Sequence, residues 1–369
     1  MNTDQNAFFA LLRAGLWNNK VRLATCGGIN LNEVYHYAEE QSVLGLVAAG
    51  VEHLQDIKVP QETALKYAGR VIQIEQRNKA MNQFIGQLFS FFKKNEISAV
   101  LVKGQGIAQC YERPLWRESG DIDLIFDIDN YEKAKKVLLP LATDVEQEYT
   151  HFKHLCMTID GWMVELHGTL HSRLSARVDR LVDEVQGDVF YGGKVRSTQN
   201  GGAQVFLPAP DENVIFVFTH ILHHFFFEGI GLRQICDWCR LLWTYRDKLD
   251  VRLLELRLQK AGLMSEWKAF AAFAVNWLGM PAESMPLYDM DKKWKRKAER
   301  ICRFVMEVGN FGHNQRRDFS GMSYLKRKFV SFWGRLRDML RHFWIFPLDS
   351  IRFFGGVLRS GLHAAVRGE

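Results

Sequence analysis

Long apolar runs are missing from this sequence. The longest aromatic-aliphatic stretch, Val214 to Leu232, carries His220, His223, His224 and Glu228. Each such group is costly in hydrocarbon, so the stretch makes a poor transmembrane span. Cysteine is sparse as well. Its six copies, at positions 26, 110, 156, 236, 239 and 302, lack the spacing of a disulfide framework. That points to a reducing, cytoplasmic setting. Cys236-Asp237-Trp238-Cys239 has no second pair to complete a zinc site, and its helical context favours buried thiols. The first residues, Met1-Asn2-Thr3-Asp4-Gln5, carry no basic cluster, and Arg13 interrupts the apolar stretch after them. No signal peptide is expected. Internal repeats and low-complexity tracts are absent.

An excess of one charge is also lacking over most of the chain. The 48 Lys/Arg and 42 Asp/Glu leave a net charge of +6. From Gly321 onward nine basic residues stand against three acidic ones, and the preceding chain holds 39 of each. The basic character therefore belongs to the C-terminal tail. With 369 residues, 47% of them hydrophobic, the chain is long and apolar enough for a sizeable folded core.

What is present is Gly120-Asp121-Ile122-Asp123-Leu124-Ile125-Phe126. In a β-strand, side chains alternate between faces. Asp121 and Asp123 then project together while Ile122 and Leu124 enter a core. Two neighbouring carboxylates stay ionised most easily with a cation between them. Mg²⁺ suits such a pair, because it takes one or two carboxylates and completes its shell with water and substrate phosphates. The spacing predicts metal-assisted phosphoryl chemistry. Most isolated Asp-x-Asp pairs are turns or caps, so the surroundings matter.

Upstream, Ile97 to Val102 reads as a buried strand. It runs into Lys103-Gly104-Gln105-Gly106 and then a short helix predicted over Ile107 to Tyr111. A strand entering a glycine turn at a helix start presents backbone N–H groups and a partial positive charge. Lys103 adds a point charge for a phosphate; its plainer role is a strand-end lysine. Gly104 allows close backbone approach.

This order resembles the nucleotidyltransferase superfamily, the polymerase-β-like fold. It is most similar to a bacterial family of uncharacterised nucleotidyltransferases, over roughly residues 97–245. The matching residues are Lys103-Gly104, Tyr111, Pro114, Arg117 and Asp121-Ile122-Asp123-Leu124. The resemblance implies a third acid on a neighbouring strand, and Glu165 in Met163-Val164-Glu165-Leu166-His167 is the candidate. Where the superfamily has Gly-Ser, Lys103-Gly104-Gln105 stands here.

The implied fold class is α+β: a small mixed sheet in a nucleotidyltransferase core, with N- and C-terminal helical additions. The implied reaction moves a nucleotidyl group from an NTP to an acceptor hydroxyl and releases pyrophosphate. Asp121, Asp123 and Glu165 would hold Mg²⁺ or Mn²⁺ and be catalytic. Lys103, Gly104, Gln105 and Arg117 would bind the nucleotide; the plainer reading of Arg117 is a pair with Glu118 or an aspartate. With no basic excess around the site, a small molecule or sugar suits the acceptor better than nucleic acid. The alternative is a catalytically silent nucleotide-binding or scaffold module, recruited to a membrane surface.

Organisation follows from periodicity. Residues 1–95 read as helical, with a long helix starting at Pro60 and ending at Lys93-Lys94-Asn95. The core spans 96–207. It includes a helix over Asn130 to Leu139 and a hairpin of His154–Ile159 and Trp162–Leu166 around Asp160-Gly161. That hairpin sets Glu165 on a strand able to lie beside Asp-x-Asp. A helix over residues 173–187 and short strands bounded by Gly192-Gly193 and Asn200-Gly201-Gly202 follow. Residues 208–308 read as a helical region packing on the core, and 309–369 as a linker and basic aromatic helical tail.

Four further residues are candidates for a pocket wall. His220 and His224 lie one helical turn apart, as do Arg233 and Asp237. An interhelical polar network is the plainer explanation of them and ranks slightly ahead. His167, two residues after Glu165, either orients it or touches substrate; a satisfied core-edge histidine is the plain alternative. In the tail, Phe329, Phe332, Trp333, Phe343, Trp344, Phe346, Phe353 and Phe354 alternate with basic residues. Packing on the main body ranks first for them, peripheral membrane contact second and nucleic acid third.

Overall fold

Apolar residues at helical spacing fold the first 95 residues into helices. In α1 (Thr3–Trp17), Asn2 and Gln5 form a reciprocal capping box. It is followed by α2 (Leu31–Glu40), α3 (Leu44–Glu52) and the long α4 (Gln61–Lys94), which Pro60 precedes as expected. This computed structural model describes residues 1–24, 27–149, 153–227, 229–310, 340–348 and 350–351.

The sheet elements follow in the order β1 (Val100–Val102), α5 (Gly104–Ala108), β2 (Asp121–Ile125), α6 (Ile128–Leu138), β3 (Asp144–Val145), β4 (His154–Ile159) and β5 (Trp162–His167). They form a five-stranded sheet of order β1-β2-β5-β4-β3. Only β2 and β5 run parallel; every other pair is antiparallel. The fold is therefore mixed α+β with a small mixed sheet. The β4–β5 hairpin turns on Asp160-Gly161, both at positive φ, as the sequence predicts.

Four element starts differ from the sequence reading; α6 begins at Ile128, two residues before Asn130, because Asp127 caps it through the Asn130 N–H. The first strand begins at Val100, not Ile97, because the Ile97 N–H bonds Phe92 and the Ser98 N–H bonds the Asn130 side chain. Those donors are lost to a ladder. Helix α5 starts at Gly104, three residues early, because the Ile107 N–H reaches the Lys103 carbonyl at 3.2 Å. Helix α7 (Ala176–Phe190) is shifted toward the C-terminus, since Ser175 caps it through the Val178 N–H.

A second hairpin, β6 (Val195–Asn200) and β7 (Ala203–Pro208), turns on Gly201-Gly202. Its tip lies against α4. A Cβ on Gly201 would stand 2.0 Å from the Asn82 carbonyl oxygen, and its φ is +57°, so glycine is required there. Five helices complete the body: α8 (Pro210–Phe227), α9 (Leu232–Tyr245), α10 (Val251–Ala261), α11 (Met264–Leu278) and α12 (Lys292–Val308).

Side-chain alternation gives the sheet two different faces. Ile122, Leu124, Leu155, Met157, Val164 and Leu166 join Phe84, Leu88 and Phe92 of α4 in one core. The opposite face looks towards α8 and α9. A larger apolar cluster joins the N-terminal helices to α8 through α12. Ile345 and Phe346 of the tail are buried in that cluster, beside Phe225, Phe270 and Phe304. The tail residues Phe329, Phe332, Trp333, Phe353 and Phe354 lie outside the described residues. Among the described residues, no helix is long and apolar enough to cross a membrane.

Candidate active site

The second sheet face carries the acids. Asp121 and Asp123 alternate with buried Ile122 and Leu124 on β2, so both point away from the core. The parallel pairing sets Asp123 opposite Glu165. Oxygen atoms of Asp121, Asp123 and Glu165 lie within 4.8 Å of one another. Three carboxylates this close, offering hard oxygen ligands, fit a divalent ion such as Mg²⁺ or Mn²⁺.

Electrostatics reinforce the fit. Burial and repulsion by Asp123 and Glu165 push the Asp121 carboxyl above its ordinary range. Burial acts the same way on Asp123. There the Lys103 charge and a His167 hydrogen bond outweigh it and hold the carboxyl low. Glu165 is likewise held well below its ordinary value, despite burial, by hydrogen bonds with His154 and His167. The trio thus favours positive charge from every side.

Lys103 ends β1 with φ 56° and ψ −150°, a strained setting for a residue with a side chain. Its Nζ stands 2.7 Å from Asp123 Oδ1. Burial opposes the ammonium charge, but Asp123, Glu165 and Asp121 overcome it and raise the Lys103 pKa. His167 Nε2 lies 3.0 Å from Asp123 Oδ1 and 3.3 Å from Glu165 Oε2. Those carboxylates raise its pKa against the opposing effect of burial.

A cavity of about 440 Å³ opens over this face. Lys103, Gly104, Arg117, Asp121, Asp123, Glu165 and His167 line it. So do His220, His224, Arg233 and Asp237 from α8 and α9. Gln105 does not reach it. That side chain is buried, and its amide donates to Asn78 at 2.8 Å and Ser119 at 3.2 Å. Asn78 in turn donates to the carbonyls of Leu115 and Arg117. Gln105 and Asn78 thereby fasten the loop before β2 to α4.

Arg117 borders the cavity with its fork already engaged. Its Nε and Nη2 donate to both Asp237 oxygens, at 3.1 and 2.5 Å, a bidentate pair. Tyr111 donates to the same carboxylate at 2.7 Å. Arg233 differs. Its Nη1 donates to the Glu118 carbonyl, while its buried Nε has no hydrogen-bond partner. Burial and the charge of Arg117 lower its pKa, so an anion beside it would be stabilising.

His220 and His224 face each other with Nε2 atoms 3.0 Å apart. Burial, followed by the positive charge of Lys103, pushes His220 well below its ordinary pKa. It is neutral at pH 7. The paired thiols Cys236 and Cys239 are buried in the core on α9.

One residue at the site escapes the sequence reading. His154, on β4, pairs across the hairpin with His167. The two rings stack with centroids 4.7 Å apart and planes 5° apart, and Tyr149 stacks on the other side of His154. The signal was available: a two-residue turn at Asp160-Gly161 fixes that register.

Similarity searches agree with the geometry. The family profile described as an uncharacterised nucleotidyltransferase matches residues 27–279, more than half of the chain. Comparison with curated proteins and with solved structures gives no match.

Proposed function

This chain belongs to the uncharacterised nucleotidyltransferase family, and from that premise we propose that it transfers a nucleotidyl group from an NTP to an acceptor hydroxyl. The acceptor oxygen forms a bond to the α-phosphorus. The bond from that phosphorus to the β-phosphate oxygen breaks, pyrophosphate leaves, and the acceptor hydroxyl loses its proton. The observation that carries this reading is the in-register pairing of Asp123 with Glu165, which gathers three carboxylates at one cavity.

Asp121, Asp123 and Glu165 would hold Mg²⁺ or Mn²⁺. When bound, such an ion neutralises triphosphate charge and eases deprotonation of the acceptor hydroxyl. The remaining work is positioning and charge stabilisation. Lys103 supplies a point charge beside Asp123, suited to a phosphate oxygen once substrate competes for it. Arg233 supplies the buried Nε that lacks a partner. Arg117 acts by holding Asp237 and the loop, rather than by touching phosphate with a fork already occupied. Neutral His220, with His224 beside it, forms the opposite wall, where an acceptor would sit. The near-neutral charge of the chain before its tail supports a small acceptor over a polymer.

The test is mass spectrometry of a cell extract incubated with the chain, each NTP and Mg²⁺ or Mn²⁺, beside the Asp121→Asn/Asp123→Asn variant. A nucleotidylated product seen only with the unaltered chain establishes the activity and names the acceptor. NTP binding without pyrophosphate release, in every extract tried, would move the reading to a silent nucleotide-binding module.

A further inference from the structure

Glu165 belongs to two clusters, not one. Beside the acid trio, His154, Glu165 and His167 bring two ring nitrogens and a carboxylate oxygen within 4.8 Å of one another. The sheet builds this group directly. Glu165 and His167 alternate onto the cavity face of β5, and His154 stands across the hairpin from His167. All three line the cavity.

The distances fit a weakly hydrogen-bonded cluster and also match the spacing of a ligand set. His154 Nε2 and His167 Nε2 stand 3.4 and 3.3 Å from the same Glu165 oxygen. Both are long for N–H···O hydrogen bonds. A tetrahedral ion with bonds of about 2.0–2.1 Å separates its ligand atoms by roughly 3.3–3.4 Å. Both Nε2 atoms approach one Glu165 oxygen; since a metal lies in the plane of each imidazole it binds, a shared ion would turn one ring out of the parallel stack of His154 on His167. His167 also contacts Asp123 Oδ1 at 3.0 Å and would exchange that contact for an ion.

We propose that His154, Glu165 and His167 form a second metal site for a borderline divalent ion of the Zn²⁺ class, sharing Glu165 with the acid trio. Two imidazoles and a carboxylate suit Zn²⁺ or Co²⁺, whereas Mg²⁺ prefers oxygen alone. Three protein ligands leave the fourth position facing the cavity, the arrangement of a zinc site that also takes water or substrate. This inference concerns binding only and does not depend on nucleotidyl transfer.

Cobalt(II) is the probe, since a tetrahedral site gives it an intense visible absorption. The metal-free chain should take up Co²⁺ with that band, and Zn²⁺ should erase it. His154→Gln should weaken Co²⁺ binding at least about tenfold, while Asp121→Asn/Asp123→Asn keeps the band. His154→Cys guards against a folding failure, because a thiolate ligand would add a sulfur-to-cobalt charge-transfer band in the near ultraviolet. An unaltered band in His154→Gln overturns the proposal. So does its loss in the aspartate variant, or the absence of any band in the unaltered chain. None of these readouts needs NTP, so failure here is separate from failure of the transfer reading.

Discussion

Asp123 and Glu165 stand opposite each other on parallel neighbours, residues from separate strands joined by a register that also pairs Leu124 with Leu166. The apolar pair below fixes the acidic pair above, because a one-residue slip would turn the acids into the core. Asp123→Asn and Glu165→Gln should therefore each lower pyrophosphate release by at least about a hundredfold while the fold persists. Thermal melts add a second reading. Mg²⁺ should raise the melting temperature of the unaltered chain by mass action and leave Asp121→Asn/Asp123→Asn unmoved. Equal Mg²⁺ stabilisation of both proteins would remove the ion from these carboxylates.

Arg117 and Asp237 make a different prediction, because both are buried and satisfied by each other. Removing one partner strands a buried charge. Asp237→Ala should cost about 3–5 kcal/mol in urea unfolding. Replacing both, as Arg117→Met/Asp237→Leu, should recover much of that loss, since an apolar pair of similar volume needs no partner. A double variant as unstable as the single one would show that the pair is held by more than mutual neutralisation, with the Tyr111 bond to Asp237 the first suspect.

The sequence made the acids legible because period-two alternation around Asp121 and Asp123 is strong. The Asp160-Gly161 turn made the strand of Glu165 legible too. What it did not reveal is which polar groups are already spent. Gln105 sits in the glycine turn but is claimed by Asn78, 27 residues earlier, a contact that only tertiary packing creates. Arg117 is claimed by Asp237, 120 residues later. Helix starts slipped for a local reason: Ser175 and the Lys103 carbonyl capture N–H groups at positions that propensity alone does not single out. His154 was missed although the hairpin register implies its pairing with His167.

Phe346 bears on the tail. It is 1% exposed and packs against Phe225, Phe226 and Phe270. Phe346→Ala should destabilise the whole chain by about 3–5 kcal/mol, read as a shift in urea midpoint. Trp344 is 68% exposed, so Trp344→Ala should change stability by less than about 0.5 kcal/mol. Vesicles containing anionic lipid separate the two roles. If the tail also touches membranes, Trp344→Ala lowers vesicle binding while the urea midpoint stays put.

His342 gives the chain a pH dependence of definite sign. Burial among Phe225, Phe226 and Phe304 drives its pKa from 6.5 down to about 3, with the Arg341 charge adding to the effect and a backbone hydrogen bond at Phe225 opposing it. The folded state then refuses a proton that the unfolded chain accepts. The stability contributed by neutral His342 is fully present above pH 6.5 and is lost as pH falls from there towards about 3. The limiting slope for one such proton is about 1.4 kcal/mol per pH unit. His342→Leu keeps the apolar contacts and cannot be protonated, so its urea midpoint should fall less steeply than that of the unaltered chain between pH 6.5 and pH 5. Buried His220 titrates in the same direction in both proteins, so the difference between the two curves isolates His342. Parallel curves would mean that His342 reaches solvent or a partner when charged, and that the contact of the tail with α8 and α12 opens at mildly acid pH.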